Sequence, residues 1–96
     1  MPELHFRVRW PDGERSTCYS PSSTTRDHFD IGVPYPLDEF VARSRRALKQ
    51  ASERVAARYG YACSSAAAQL DEIERHAARF ADPSASVTVE AFEDPS

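Results

Sequence analysis

The 96-residue chain contains only two cysteines, three glycines, one tryptophan, one methionine and a single lysine, Lys49. Cys18 and Cys63 are too few for a disulfide framework and too far apart for a CxxC motif. They are expected as two free thiols packed as small apolar groups. No apolar run approaches the ~20 residues that span a bilayer, so no transmembrane helix is expected. Met1-Pro2-Glu3-Leu4-His5 has no basic n-region and no apolar h-region, which leaves a cytoplasmic protein as the expectation. His5, His28 and His76 stand alone in sequence. Zinc sites usually take two ligands from one close pair such as CxxC or HxxxH, so no metal is expected. No internal repeat is visible, and no cofactor is expected.

Cations are also in the minority. Twelve Lys plus Arg face fifteen Asp plus Glu, for a net charge of −3. The densest basic run is Arg43, Arg45, Arg46 and Lys49. Phosphate binding favours clustered cations, but the acidic balance reads this run as a solvated helix face. No nucleic-acid partner is expected.

What is present is patterned. Residues 4–10 alternate, with Leu4, Phe6, Val8 and Trp10 on one face and His5, Arg7 and Arg9 on the other. That is the period of a strand buried on one side. Pro11-Asp12-Gly13 suits a tight turn, because proline presets its backbone angle and glycine accepts positive φ. Residues 14–19 return as a second strand, Cys18 on one face and Thr17 and Tyr19 on the other. The first 20 residues thus read as a β-hairpin. Residues 21–35 read as a loop rich in serine and threonine, anchored in the core by Phe29 and Ile31.

A helical hairpin is expected over 36–80. Its first helix opens with Pro36 at the first helical position and Asp38 and Glu39 in the first turn, residues that suit the positive end of the dipole. Leu37, Phe40, Val41, Leu48, Ala51 and Val55 recur at helical spacing, with Ser44 and Ala47 filling small gaps. Gly60 is the stop signal. The second helix starts near Ser64 or Ser65 and carries Ala66, Leu70, Ile73, Ala77 and Phe80 along one stripe. Residues 86–92 alternate again as a third strand. The expected architecture over residues 1–96 is therefore one α+β domain of order ββααβ, a three-stranded antiparallel sheet packed on an antiparallel helical hairpin.

No catalytic set emerges. Cys63, near the start of the second helix, is better placed for a thiolate than Cys18, yet both suit burial. Asp27, Asp30, Asp38 and Glu39 suit solvation and helix capping. The sheet face left open by the helices is more informative: it would carry His5, Arg7, Arg9, Thr17 and Tyr19. Arginine and tyrosine are enriched at protein contacts.

Several unusual words occur in order along the chain: Phe6-Arg7-Val8-Arg9-Trp10-Pro11-Asp12-Gly13, Cys18-Tyr19-Ser20-Pro21-Ser22, Tyr35-Pro36-Leu37, Ala51-Ser52-Glu53-Arg54-Val55 and Tyr59-Gly60 with Cys63-Ser64. Together they resemble a small bacterial family of nitrogen-starvation-response proteins over about residues 2–80. The resemblance implies a cytoplasmic protein of bacterial origin. It also implies a gene cluster shared with a nitrilase, a radical-SAM protein and other enzymes, and a role in nitrogen metabolism or a nitrile-related biosynthetic pathway. It carries no catalytic residues with it.

The expectation is a non-catalytic accessory protein that binds a protein partner from its own gene cluster through Arg7, Arg9 and Tyr19. The free edges of a short sheet leave room for a homodimer as well. The alternative is a small enzyme or ligand-binding protein with a pocket near Cys18, Tyr19 and Cys63.

Overall fold

The computed structural model describes residues 4–60 and 64–93. The chain runs through β1 (Leu4–Arg9), β2 (Arg15–Ser20), a 3-10 helix (Ser23–His28), β3 (Pro34–Pro36), α1 (Leu37–Tyr59), α2 (Ser64–Ala77) and β4 (Ser86–Glu93). The strands form one antiparallel sheet in the order β2-β1-β4-β3. An α+β domain with two helices and an antiparallel sheet is therefore present, but with four strands rather than three and with the order ββ-3-10-βααβ rather than ββααβ.

The added strand is Pro34–Pro36, in the span expected to be loop and helix start. Tyr35 pairs with Val87 across β4. Two prolines in three residues hide a strand from any propensity argument, because proline cannot donate to a ladder. On an edge that deficit does no harm, and it discourages pairing with a further strand. Pro36 is accordingly the N-cap of α1 rather than its first helical residue.

The β1–β2 hairpin turns where the chemistry requires. Gly13 N–H donates to the Trp10 carbonyl at 2.9 Å, and Gly13 has φ of 87°. At the centre of the sheet, β1 and β4 are in register on either side of a shift between Arg7 and Val8, so Glu90 is the extra residue of a bulge on β4. The β2 edge is closed from within the chain by Gln69 of α2, whose Oε1 accepts the Tyr19 backbone N–H at 2.9 Å.

The Ser20–Pro34 segment is ordered by hydroxyl chemistry. Thr25 Oγ1 donates to Ser20 Oγ at 2.7 Å, and Ser20 Oγ donates to the Ser22 carbonyl at 2.9 Å. Ser20, Ser22 and Thr25 are all buried, and buried hydroxyls are tolerated when bonded in this way. Ser22 caps the 3-10 helix. Phe29 enters the core as expected, stacked on Phe6. Ile31 does not: it is 57% exposed. The reason is a long-range bond: Gly32 N–H donates to the Val89 carbonyl at 2.9 Å and draws this stretch along the β4 edge rather than under the sheet.

The core lies between the helical hairpin and one sheet face. Phe6, Val8, Trp10 and Cys18 from the hairpin meet Val87 and Val89 of β4, Phe40 and Leu48 of α1, and Ile73 of α2. Each such apolar side chain contributes about 1.5–3 kcal/mol when fully buried. The α1 stripe packs as its periodicity predicts, with Val41 only partly covered; Leu70 and Phe80 are likewise half-buried at the margin. Gly60, φ 81°, ends α1 with its N–H on the Ala56 carbonyl. The expected turn at Tyr61, Ala62 and Cys63 lies outside the described residues. No helix among the described residues is long and apolar enough to cross a membrane.

Candidate functional site

Alternation along β1 and β2 sends neighbouring residues to opposite faces of the sheet. Arg7, Arg9 and Tyr19 therefore sit on the uncovered face, while Cys18 points beneath the helices. Tyr19 and Cys18 adjoin in sequence but face opposite sides of the sheet. Cys63 lies outside the described residues.

The uncovered face is organised by charge. Arg7 pairs with Glu93 at 2.6 Å across β1 and β4. The bulge places Glu90 where its two oxygens reach both Arg15 of β2, at 2.8 Å, and Arg9 of β1, at 3.7 Å. Arg15 and the Glu90–Glu93 acids thus belong to the arrangement although sequence reasoning singled out neither. The signal for Arg15 was available, since it lies opposite Arg9 in a hairpin whose turn is legible. The Glu90 position depends on the bulge, which the alternation of β4 does not announce. His5 and Tyr19 meet edge to face across the hairpin, ring centroids 6.0 Å apart. Cations thus occupy β1 and β2, acids occupy β4, and an aromatic pair closes one corner. Such a surface can hold a polar, charge-patterned partner.

On the covered face, Cys18 is 2% exposed. Burial, reinforced by the negative charge of Glu72, pushes its thiol up from 9.0 to about 12. At neutral pH it is protonated, and a thiol is a far weaker nucleophile than a thiolate. Beside it, His76 stacks on Trp10, and Trp10 Nε1 donates to Ser16 Oγ at 3.0 Å. His76 is half-buried there, between Trp10 and Phe80.

The histidines are dispersed: His5 against Tyr19, His28 bonded to Gln50 at 2.7 Å, and His76 against Trp10. Among the described residues no group of three His, Cys, Asp or Glu side chains could hold a metal ion. The basic run on α1 is also divided. Arg43 reaches Glu39, the His28 carbonyl and the face of Tyr35, and Arg45 pairs with Glu74 of α2. Arg43 thereby ties the 3-10 helix and β3 to α1.

A groove of about 490 Å³ lies at the end of the helical hairpin, floored by Leu37, Val41, Ala77, Phe80 and Pro83. The Arg45–Glu74 pair stands at its rim.

The model of one protein family, described as nitrogen starvation-induced protein NitG, matches residues 5–92. No curated protein and no solved structure matches the chain.

Proposed function

The chain belongs to the nitrogen starvation-induced NitG family, and on that premise we propose that it is a non-catalytic accessory protein that docks a protein partner on its uncovered sheet face. The pathway is one of nitrogen metabolism or nitrile-related biosynthesis, and the partner is an enzyme encoded in the same gene cluster, met in the cytoplasm. The observation that carries this reading is the charge pattern of that face: Arg7, Arg9 and Arg15 beside Glu90 and Glu93, with Tyr19 at the corner. A partner with the opposite pattern can exchange these exposed pairs for intermolecular ones, which favours selectivity and association rate.

The test is co-purification of the tagged protein from nitrogen-limited cells, beside an Arg7→Glu/Arg9→Glu/Tyr19→Ala variant. A stoichiometric cluster enzyme retained by the parent and lost by a folded variant supports the proposal. Equal retention by both removes the face from it, and recovery of the chain alone or as a homodimer removes the enzyme partner.

A second reading, ligand binding, draws on the groove beside Leu37 and Phe80, whose size and apolar floor suit a small molecule. It is distinct from the expected pocket near Cys18, Tyr19 and Cys63, of which Cys63 lies outside the described residues. Thermal stabilisation by a metabolite extract, abolished by Val41→Glu, would favour it over protein docking.

A further inference from the structure

Between α2 and β2 lies a cavity of about 30 Å³ walled by Trp10, Ser16, Cys18, Gln69, Glu72 and His76. Its wall differs from the rest of the core. At the margin of the core, where Thr17 and Glu72 reach solvent, it brings hydroxyls, a thiol, a carboxamide, a carboxylate and an imidazole beside the apolar Trp10 and Ile73. Its volume exceeds the roughly 10–15 Å³ that one water molecule needs and falls far short of a metabolite.

A second observation is independent of the first. His76 Nε2 is buried and has no hydrogen-bond partner in the protein, the only such side-chain nitrogen or oxygen among the described residues. Buried polar atoms in folded proteins are paired with protein or with an ordered small molecule. The other polar groups of the wall retain bonding capacity. Ser16 Oγ accepts from Trp10 Nε1 but still has a hydrogen to donate. Gln69 uses Oε1 on the Tyr19 backbone and keeps its NH₂ group. Glu72 adds a negative charge at the wall, the same charge that disfavours ionisation of Cys18.

We propose that this cavity is a binding site for one water-sized hydrogen-bond donor, held by His76 Nε2 between α2 and β2. Water and the ammonium ion share that chemistry. They are of similar size, and each presents a hydrogen to an imidazole nitrogen that carries none. Glu72 favours the cation, whereas the free hydrogens of Ser16 and Gln69 favour water, which alone can accept them. The site requires the His76 tautomer with its proton on Nδ1, so that Nε2 accepts.

The experiment uses the full chain in two arms. Crystals grown without ammonium and diffracting to about 1.5 Å should show one density peak 2.7–3.2 Å from His76 Nε2, within hydrogen-bond range. In solution, ¹⁵N-labelled protein is titrated with ammonium chloride and, separately, with sodium chloride at equal ionic strength. A saturating movement of the His76 Nε2 and Trp10 Nε1 signals specific to ammonium assigns the ion. A density peak with no such movement assigns water. His76→Phe keeps the ring stack and removes the nitrogen, and in its crystals the peak should vanish while the fold persists. A cavity without density in the parent overturns the proposal, as does a peak undisturbed in His76→Phe. So does a His76 nitrogen signal showing the proton on Nε2.

Discussion

His76 lies face to face with Trp10, the ring centroids 4.1 Å apart and the planes 22° from parallel. The contact joins the last turn of α2 to the residue that follows β1, positions 66 residues apart in the chain. Trp10 also meets Phe40 edge to face at 5.5 Å and Phe80 at 6.1 Å. One indole thus links the hairpin, α1, α2 and the turn after α2.

Trp10→Ala should therefore lower stability by about 3–5 kcal/mol, the range for deleting a large buried aromatic. Trp10→Phe should cost less, keeping the packing but losing the bond to Ser16. Urea unfolding followed by far-UV circular dichroism would measure both. A loss near 1 kcal/mol for Trp10→Ala would show that the four-way junction closes without the indole.

Cys18 makes stability fall on the alkaline side. Its thiol is raised from 9.0 to about 12 on folding, so the folded chain holds this proton where the unfolded chain releases it. The contribution is complete below pH 9 and is lost as pH rises from about 9 towards 12. Between pH 9 and 10.5 the parent should lose up to about 1.4 kcal/mol per pH unit more than Cys18→Ala. Parallel limbs would contradict the buried thiol. In a Cys63→Ser background, the folded chain should resist alkylation of Cys18 by iodoacetamide through pH 9, with full labelling only after unfolding.

Asp82 acts at the opposite end of the pH scale. Its Oδ1 accepts from the Ser84 hydroxyl at 2.7 Å and the Ser84 backbone N–H at 2.9 Å, which holds its pKa below the usual carboxylate value. This turn sets Pro83, whose carbonyl accepts the Asp38 N–H at the start of α1. A lowered folded pKa gives stability that is present above the unfolded value and lost as pH falls through the folded one. Asp82→Asn should thus lower the melting temperature at pH 7 and flatten its decline between pH 5 and 2. An unchanged acid limb would exclude the role.

Gly60→Ala should cost about 1 kcal/mol, because residue 60 holds φ of 81°, where a Cβ is strained even with open space around it. Gly60→Asn should recover part of that loss. Equal thermal midpoints for the parent and the alanine variant would contradict the left-handed cap.

Arg7→Ala and Arg9→Ala should change stability by less than about 1 kcal/mol each, since both guanidinium groups are exposed to solvent and surface ion pairs contribute little. Chemical denaturation checks this. A larger loss would make the face a structural element rather than a surface available for docking.

Much of the fold follows from local pattern. The alternation Leu4, Phe6, Val8, Trp10, the Pro11-Asp12-Gly13 turn and the Gly60 stop each express a constraint that acts within a few residues. Pro34–Pro36 was illegible for the converse reason: its strand character comes only from pairing with β4. At Ile31 hydrophobicity argues for burial, whereas the Gly32–Val89 bond dictates where that segment runs. On the candidate face, Arg7, Arg9 and Tyr19 were legible as outward residues of a hairpin. Glu90 was not, because a bulge is a property of two strands together.

The sequence by itself determined the two helices, the hairpin and the last strand, along with the inward and outward faces of β1 and α1, because period and turn chemistry are local. Only the tertiary structure decided that Glu90 bridges Arg9 and Arg15, that His76 covers Trp10, and that Cys18 loses its acidity. Those outcomes depend on distance and solvent exclusion between segments far apart in the chain, and no spacing along the sequence encodes either one.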